Sequence, residues 1–292
     1  MATQLTLNGL IAGAIFALIA VGFSMVHLSR RFFDFSLAGS MVLTVYISFR
    51  ISDALDLGLP AVVLLAILLA GVLNFLLGFF VYCPLRAAGG RPTVMLVASL
   101  GLMVVLVNVT SLVFGDAPYR PSVFGLQGNV QVFGGRVTRL HILTFAASLV
   151  VGGLTCFLIR WSSFGAQLRA IASDETLSRA MGLRLSRVEV LGGWIGLALA
   201  TFGVIFSGMD FGLTPSVGFQ LLIPAVTACI LGGVFSVKGA FVAAFLVGLL
   251  AQASATVLGV VWQDTILFLL LIAILLVKPT GFWGLPIISR RT

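Results

Sequence analysis

The chain has 292 residues, of which 60% are hydrophobic and only 9% are charged, and its mean hydropathy is +1.19. A single core of this length cannot bury so much apolar surface, so the composition excludes a soluble globular protein and indicates a membrane protein. The net charge of +8 does not indicate a nucleic-acid partner, because the basic residues are scattered over short loops. Membrane lipid is their expected neighbour.

Nine apolar runs follow one another along the chain, several of them near the roughly 20 residues that a helix needs to cross the hydrocarbon. A β-barrel would alternate polar and apolar residues, whereas the run from Ala61 to Ala70 is apolar throughout. The sequence therefore predicts an all-α, polytopic transmembrane helix bundle of about eight or nine spans, one or two of them interrupted, forming one domain over residues 1–292. The predicted spans are about 5–28, 33–49, 59–83, 93–115, 140–159, 188–209, 221–237, 239–260 and 265–277.

The distribution of basic residues predicts that the N-terminus lies outside the cell and the C-terminus inside. In this orientation 13 of the 17 Lys and Arg residues face the cytoplasm, and only Arg50, Arg120, Arg136 and Arg139 face outward. The first span lacks the basic leader of a signal peptide and extends as far as Val26, so we expect it to remain attached.

The longest outside segment connects Asp116 to Arg139 and is rich in proline and glycine, which break regular structure. The run 130–133, followed by two glycines, is typical of a short hairpin. A solvated loop and a docking surface for a soluble external protein both fit this segment.

The longest inside segment, residues 160–187, is dense in charge and predicts a short helix from Asp174 to Met181. Asp174 and Glu175 suit a helix start, because an aspartate accepts from free backbone N–H groups and acids favour the positive helix end. Gly182 suits its end. Leu177, Ala180 and Met181 then share one apolar face. So short a helix is marginal alone, so it either lies in the groove of a partner protein or rests on the lipid surface.

Two segments share the pattern Phe-Ser-x-x-Gly, and each opens an apolar run. They predict a parallel repeat of interrupted helices, although chance similarity over five positions stays open. Irregular backbone at membrane depth survives only when it is buried in protein or lines a wet cavity, so we take these segments as candidates for a translocation path. The candidate path residues are Phe35, Ser36, Gly39, Pro224, Gly232, Gly233, Ser236 and Gly239.

Sites for enzymatic chemistry are not recognisable in the sequence. It contains no phosphate-binding loop of the Gly-x-x-x-x-Gly-Lys type, so any ATP must be hydrolysed on another subunit. Cysteines and histidines occur singly, without metal-ligand spacing, and we predict neither a metal nor another cofactor. Charged residues are absent from the middle of the spans, which argues against a proton-coupled carrier.

The order and spacing of several motifs make the chain similar to the membrane permeases of ATP-binding-cassette (ABC) importers for branched-chain amino acids, of the LivH-like type. The similarity extends from Asn8 almost to the C-terminus. The motifs that carry it are residues 165–174, 180–183, 187–188, 231–240 and 278–284.

This resemblance implies a non-enzymatic permease subunit in a bacterial inner membrane. Its expected partners are a second permease subunit, two ABC ATPase subunits and a periplasmic solute-binding protein, and its expected substrate is a branched-chain or other amino acid. Residues 174–182 would form the coupling helix that enters the ATPase. The segment 34–38, Phe235 and Lys238 depart from the family pattern near the expected path, so a stand-alone channel or facilitator for a small neutral solute such as urea or an amide stays the alternative.

Overall fold

The computed structural model describes residues 2–121, 126, 128–132, 135–278 and 281–283. These residues fold mainly as helices. In chain order the helices are α1 (Ala2–Arg30), α2 (Ser36–Leu55), α3 (Leu59–Leu77), α4 (Cys83–Ala87), α5 (Pro92–Phe114), α6 (Arg139–Ala147), α7 (Gly153–Trp161), α8 (Ser163–Ser173), α9 (Glu175–Ala180), α10 (Leu185–Phe211), α11 (Val217–Gly232), α12 (Val237–Leu258) and α13 (Gln263–Val277).

Each of the nine predicted spans corresponds to a helix or a continuous helical stretch, which confirms the all-α polytopic bundle. Within the described ranges, seven helical stretches are long and apolar enough to cross a membrane. The other two predicted spans are α2, most of whose residues are buried inside the bundle, and α11. With 16 residues, α11 is about 24 Å long and falls short of the roughly 30 Å hydrocarbon core.

Helix α1 lies at the centre of the bundle and packs against α10, α11 and α12. Small residues allow these close approaches, as is usual between membrane helices. A Cβ atom on Gly13 would lie 2.8 Å from the Cα atom of Phe245 in α12, and one on Gly196 of α10 would lie 2.5 Å from the carbonyl oxygen of Gly22. The glycines of α1 and α10 therefore set the distances between the central helices.

Some helices are interrupted at positions that the sequence did not predict. Pro224 lies inside α11, which continues through it to Gly232. Two π-helical segments, Gly78–Tyr82 and Ser148–Gly152, instead interrupt the third and fifth spans without ending them. Such π-segments within α-helices occur frequently at functional sites.

A two-stranded antiparallel hairpin follows α5, as the sequence predicted. Its strands are β1 (Asn129–Val132) and β2 (Gly135–Thr138), and Val130 pairs with Val137. The side chain of Gln4 in α1 bonds to the backbone of Arg136 at 3.0 and 3.1 Å. The hairpin is thereby attached to the N-terminal end of α1.

Candidate functional site

The short helix predicted near residue 174 is present as α9, within one residue of its predicted bounds. The carboxylate of Asp174 caps its start by accepting a hydrogen bond from the backbone N–H of Leu177 at 3.0 Å. Gly182 lies just beyond its end with a φ of +80°, a conformation that favours glycine. Local sequence signals therefore account for both ends of α9.

The predicted apolar face of α9 points away from the bundle. Leu177 is 60% exposed and Met181 is 77% exposed, and Ala180 and Gly182 are exposed as well. Ser178, in contrast, is buried. Because the apolar side chains of α9 point outward and its serine points inward, α9 presents an exposed apolar surface that a protein or a membrane can cover.

Helix α8, which the sequence reading missed, joins α9 to the bundle. Leu168 and Ile171 of α8 are buried against residues of α1 such as Met25. The α7–α8 turn is tight, since a Cβ on Gly165 would lie 1.8 Å from the carbonyl oxygen of Ile159, and the Ser162 side chain caps α8 by accepting from the Gly165 N–H at 3.1 Å. The three-residue spacing of Gly165, Leu168 and Ile171, which places them on one face of a helix, could have predicted α8. Charged residues around this segment made it resemble a polar loop.

The segment between α1 and α2, residues 31–35, is called the α1–α2 corner, and Arg31 attaches it to α8. Its guanidinium donates to the carbonyl oxygen of Ile171 at 3.1 Å, near the C-terminal end of α8, where cations are favourable. The backbone of Arg31 has a φ of +62°, which is uncommon for a residue other than glycine. One strained residue therefore connects α8 and α9 to the end of α1.

The first group of candidate path residues lies at this corner. Ser36 is buried, and its hydroxyl contacts the carboxylate of Asp34 at 2.6 Å and the hydroxyl of Tyr82 at 2.9 Å. The backbone N–H of Phe35 donates to the Ser99 hydroxyl at 3.1 Å. Gly39 packs directly against α5, since a Cβ there would lie 2.7 Å from that of Leu106.

The second group lies where α11 meets α12. Gly232 and Gly239 bring the backbones of the two helices into contact, and Gly233 turns the chain with a φ of +100°. The side chain of Ser236 caps α12 by accepting from the Gly239 N–H at 3.1 Å. Pro224 is buried within α11.

The C-terminal motif also belongs to this second group. The backbone N–H groups of Phe282 and Trp283 donate to the carbonyl oxygens of Leu231 and Gly232 at 2.8 and 3.2 Å. Carbonyls at a helix end have no partner within the helix, and here the residues after α13 supply one. Residues 231–232 of one motif and residues 282–283 of the other, which lie far apart in the sequence, thus meet in space.

The structure brings the two Phe-Ser-x-x-Gly segments to the same end of α1 but gives their serines different roles. Ser236 caps its helix, whereas Ser36 is the first residue of α2 and bonds to Asp34 and Tyr82. His27 links the two regions, because its ring lies 4.6 Å from that of Phe33 and 5.7 Å from that of Phe235. The Nδ1 atom of His27 is buried without a hydrogen-bond partner among the described residues.

A buried charged cluster at the α1–α2 corner was not predicted from the sequence. It consists of Arg30, Asp34, Asn74 and Tyr82 and is called the Arg30 cluster. Arg30 is 7% exposed and Asp34 is 1% exposed, and they form an ion pair. Arg30 also donates to the Asn74 side-chain oxygen at 2.6 Å and lies 4.7 Å above the Tyr82 ring, while the Tyr82 hydroxyl donates to Asp34 at 2.8 Å. The i, i+4 spacing of Arg30 and Asp34 was a signal, but their burial depends on Asn74 and Tyr82, which lie 40 or more positions away.

A second ion pair, Arg86 with Glu189, lies beside this cluster, and Arg86 also donates to the backbone oxygen of Arg30 at 3.1 Å. A cavity of about 340 Å³ is lined by Arg30 of the first ion pair and by both Arg86 and Glu189 of the second. Charged groups this close to the spans are expensive unless they are paired, and they usually mark functional regions. Among the described residues no group of three metal-ligating side chains forms a metal site.

Comparisons with known proteins agree with this architecture. Residues 5–275 match the family model for the permease component of the branched-chain amino acid transport system. The chain is 32% identical to the high-affinity branched-chain amino acid transport system permease protein BraD of Pseudomonas aeruginosa and 31% identical to LivH of Escherichia coli, over 98% of this chain and 97% of each relative.

A more distant relative is the probable branched-chain amino acid transport permease protein LivH of Methanocaldococcus jannaschii, at 22% identity over 95% of this chain and 91% of the relative. Among solved structures, PsaBC from Streptococcus pneumoniae in complex with Fab has the same fold, with a TM-score of 0.51 and 18% identity over 94% of this chain and 91% of that one. The full-length family match and the identity to BraD and LivH show that this multi-pass inner-membrane protein belongs to the family of permease components of branched-chain amino acid transport systems.

Proposed function

We propose that this chain is the membrane-spanning permease subunit of an ABC importer and moves branched-chain amino acids inward by alternating access. Its relatives BraD and LivH are named as high-affinity branched-chain amino acid permeases, and the likeness covers nearly both full lengths. The observation that carries the coupling mechanism is the exposed apolar face of α9 on a helix pair anchored in the core. That geometry suits a lever, a rigid helix pair that transmits force to the bundle when another subunit covers its exposed surface.

The lever consists of α8 and α9 with Arg31 as its link to the pathway. Force applied to Leu177 and Met181 passes along α8, which is fixed to the core through Leu168 and Ile171. The hydrogen bond from Arg31 to Ile171 then couples α8 to the α1–α2 corner. Packed elements of this kind switch between discrete arrangements rather than deforming continuously. The two ATPases would supply the force by closing on ATP.

The solute path in this proposal runs past the α1–α2 corner and the α11–α12 turn. In the described arrangement the hydroxyl of Ser36 is already hydrogen-bonded to Asp34 and Tyr82. The carbonyl oxygens at the end of α11 likewise accept hydrogen bonds from the backbone of residues 282 and 283. His27 lies between the two regions with an unpaired nitrogen, and buried polar atoms without partners are rare enough to need a reason. When the α1–α2 corner moves, these polar groups lose their present partners. A zwitterionic amino acid carries the hydrogen-bond donors and acceptors that would replace them.

The proposed assembly contains a second permease subunit, two ATPases and a periplasmic binding protein, with the N-terminus of this chain outside. The excess of basic residues on the α9 side supports that orientation. The β1–β2 hairpin then lies on the outer face, where a binding protein would dock.

Reconstitution tests this function. Proteoliposomes that contain the complete transporter with ATP inside should take up labelled leucine only when the binding protein is outside, and unlabelled isoleucine and valine should compete. Leu177→Asp with Met181→Asp should abolish uptake, whereas Thr176→Asp, a charge added to an exposed position of the same helix, should not. Uptake by the permease alone without ATP would identify a facilitator and overturn the proposal.

A further inference from the structure

A second cavity, of about 400 Å³, lies beside the base of the lever, where α1, α7, α8 and α12 meet. Three cations line it: Arg160, Arg169 and Lys238. None of them forms an ion pair within the described part of the chain, and no carboxylate lines the cavity. Arg169 donates to the carbonyl oxygens of Ile159 and Arg160, which positions its guanidinium without neutralising it.

The walls of this cavity are preformed. The thiol of Cys156 in α7 contacts the carbonyl oxygen of Val237 at 3.9 Å, which joins α7 to the start of α12. Helix α12 begins at the cavity, so its positive end adds to the field of the three cations. Leu28, Ile159 and Phe235 supply an apolar part of the lining.

The cavity also lies at the level expected for lipid headgroups. It is lined by the last residues of α7 and the first of α12, where both helices reach the end of the bundle. Trp161, next to Arg160, is 73% exposed, and tryptophan is enriched where membrane meets water. Basic pockets between helices on the cytoplasmic side of a membrane bind anionic lipid headgroups.

We infer that this cavity binds a phosphate group, and that the phosphate is the phosphodiester of an anionic phospholipid. The three cations hold the phosphate oxygens, and the apolar lining accommodates the glycerol and the start of the acyl chains. A lipid with a choline headgroup fits poorly, because its quaternary ammonium would meet three like charges. This inference does not depend on which solute the transporter carries.

Native mass spectrometry of the assembled transporter in neutral detergent tests the inference by titration with phosphatidylglycerol and, separately, phosphatidylcholine. Phosphatidylglycerol should bind more tightly. Arg160→Gln and Lys238→Gln should each weaken its binding about fivefold, because each removes one cation near the headgroup. Lys238→Arg, which keeps the charge, should bind like the wild type.

Arg91→Gln is the matched control, since Arg91 is exposed and does not line the cavity. Unchanged melting temperatures would show that the variants are folded. Equal phosphatidylglycerol binding by the wild type and the Arg160→Gln, Lys238→Gln double variant would overturn the inference, and so would an equal loss in Arg91→Gln. Displacement of the lipid by millimolar inorganic phosphate, with the same dependence on Lys238, would overturn the assignment to lipid and leave a site for soluble phosphate.

Discussion

At the end of the bundle where α1 stops, Arg30 and Asp34 are buried as an ion pair, and the apolar residues Leu177 and Met181 of α9 are exposed. At the opposite end, where α1 starts, several polar contacts are exposed or only partly buried. They include the bonds of Gln4 to β2, the pair of His141 with Asp210 at 3.0 Å and the bond from Tyr119 to Asp53.

The first end combines a charged cluster that the chain pairs internally with an apolar surface that it leaves exposed, whereas the second end has weaker, partly exposed polar pairs. A buried charge must be paired, so removing one partner from the Arg30 cluster leaves an uncompensated charge and strongly destabilises the fold. An exposed apolar face contributes nothing to the isolated fold and is stabilised when another surface covers it. Partly exposed polar pairs are individually weak. Substitutions should therefore have large effects at the first end and small effects at the second.

The largest effect is expected from Asp34→Ala. Asp34 accepts from Arg30, from Tyr82 and from both the backbone N–H and the hydroxyl of Ser36. Its removal leaves a buried guanidinium without an anion, and we expect the free energy of unfolding to fall by about 3–5 kcal/mol. Thermal or denaturant unfolding of the purified protein measures this loss.

Two variants sharpen that result. Asp34→Ala combined with Arg30→Met should recover much of the lost stability, because the unpaired cation is gone. Asp116→Ala removes an exposed carboxylate that bonds to Ser111 at the opposite end, and it should change stability by at most about 0.5 kcal/mol. Similar losses for Asp34→Ala and Asp116→Ala would contradict the distinction between the two ends.

The next effect concerns association rather than folding. Leu177→Asp and Met181→Asp place charges on the exposed face of α9, so the melting temperature of the isolated permease should not change. Binding of the ATPase subunit should weaken by roughly thirtyfold for the pair, as for apolar anchors at the centre of an interface. Quantitative pull-down with Thr176→Asp as control measures it, and full retention of the ATPase would refute α9 as the coupling helix.

A smaller effect is expected at Arg31. Arg31→Ala keeps the unfavourable φ but loses the bond to Ile171 and should cost about 1 kcal/mol. Arg31→Gly loses the same bond but relieves the strain, so its stability should stay closer to the wild type. Both variants should lower the leucine transported per ATP hydrolysed. Wild-type coupling in both would mean that Arg31 only stabilises the fold.

Local signals in the sequence predicted more at α9 than at the Arg30 cluster. Asp174 and Gly182 act on neighbouring backbone, so the start and end of α9 could be found without knowing the fold. The spans were found because roughly 20 apolar residues in a row have few other uses. The hairpin was found for a similar reason, since two glycines followed a short β-prone run.

The features that the sequence did not predict depend mainly on contacts between residues far apart in the chain. Arg30 counts as an interfacial cation in the sequence, and only the approach of Asn74 and Tyr82 shows that it is buried. Pro224 suggested an interruption, but α11 continues through it, whereas nothing near Gly78 or Ser148 announces a π-helical segment. The meeting of residues 231–232 with residues 282–283 likewise depends on how α11 and α13 pack.

The smallest effect is expected from Tyr119→Phe, at the end where α1 starts. The hydroxyl of Tyr119 donates to Asp53, and Arg50 lies 5.0 Å above its ring. Because the site is partly exposed, the loss of this bond should lower the free energy of unfolding by only about 0.5 kcal/mol at neutral pH. Burial, and then the bond to Asp53, raise the pKa of the Tyr119 phenol above its usual value.

This shift gives the Tyr119 contact a pH dependence of known sign. The folded protein favours the protonated phenol, so the contribution of Tyr119 is complete below the ordinary tyrosine pKa of about 10 and is lost as the pH rises above it. The stability difference between the wild type and Tyr119→Phe should therefore shrink between about pH 8 and about pH 11, because the variant has no phenol to titrate. Paired melts at the two pH values measure this change. A constant difference would mean that the Tyr119 phenol has the same pKa in the folded and the unfolded protein, so that neither burial nor the Asp53 contact acts on it in solution.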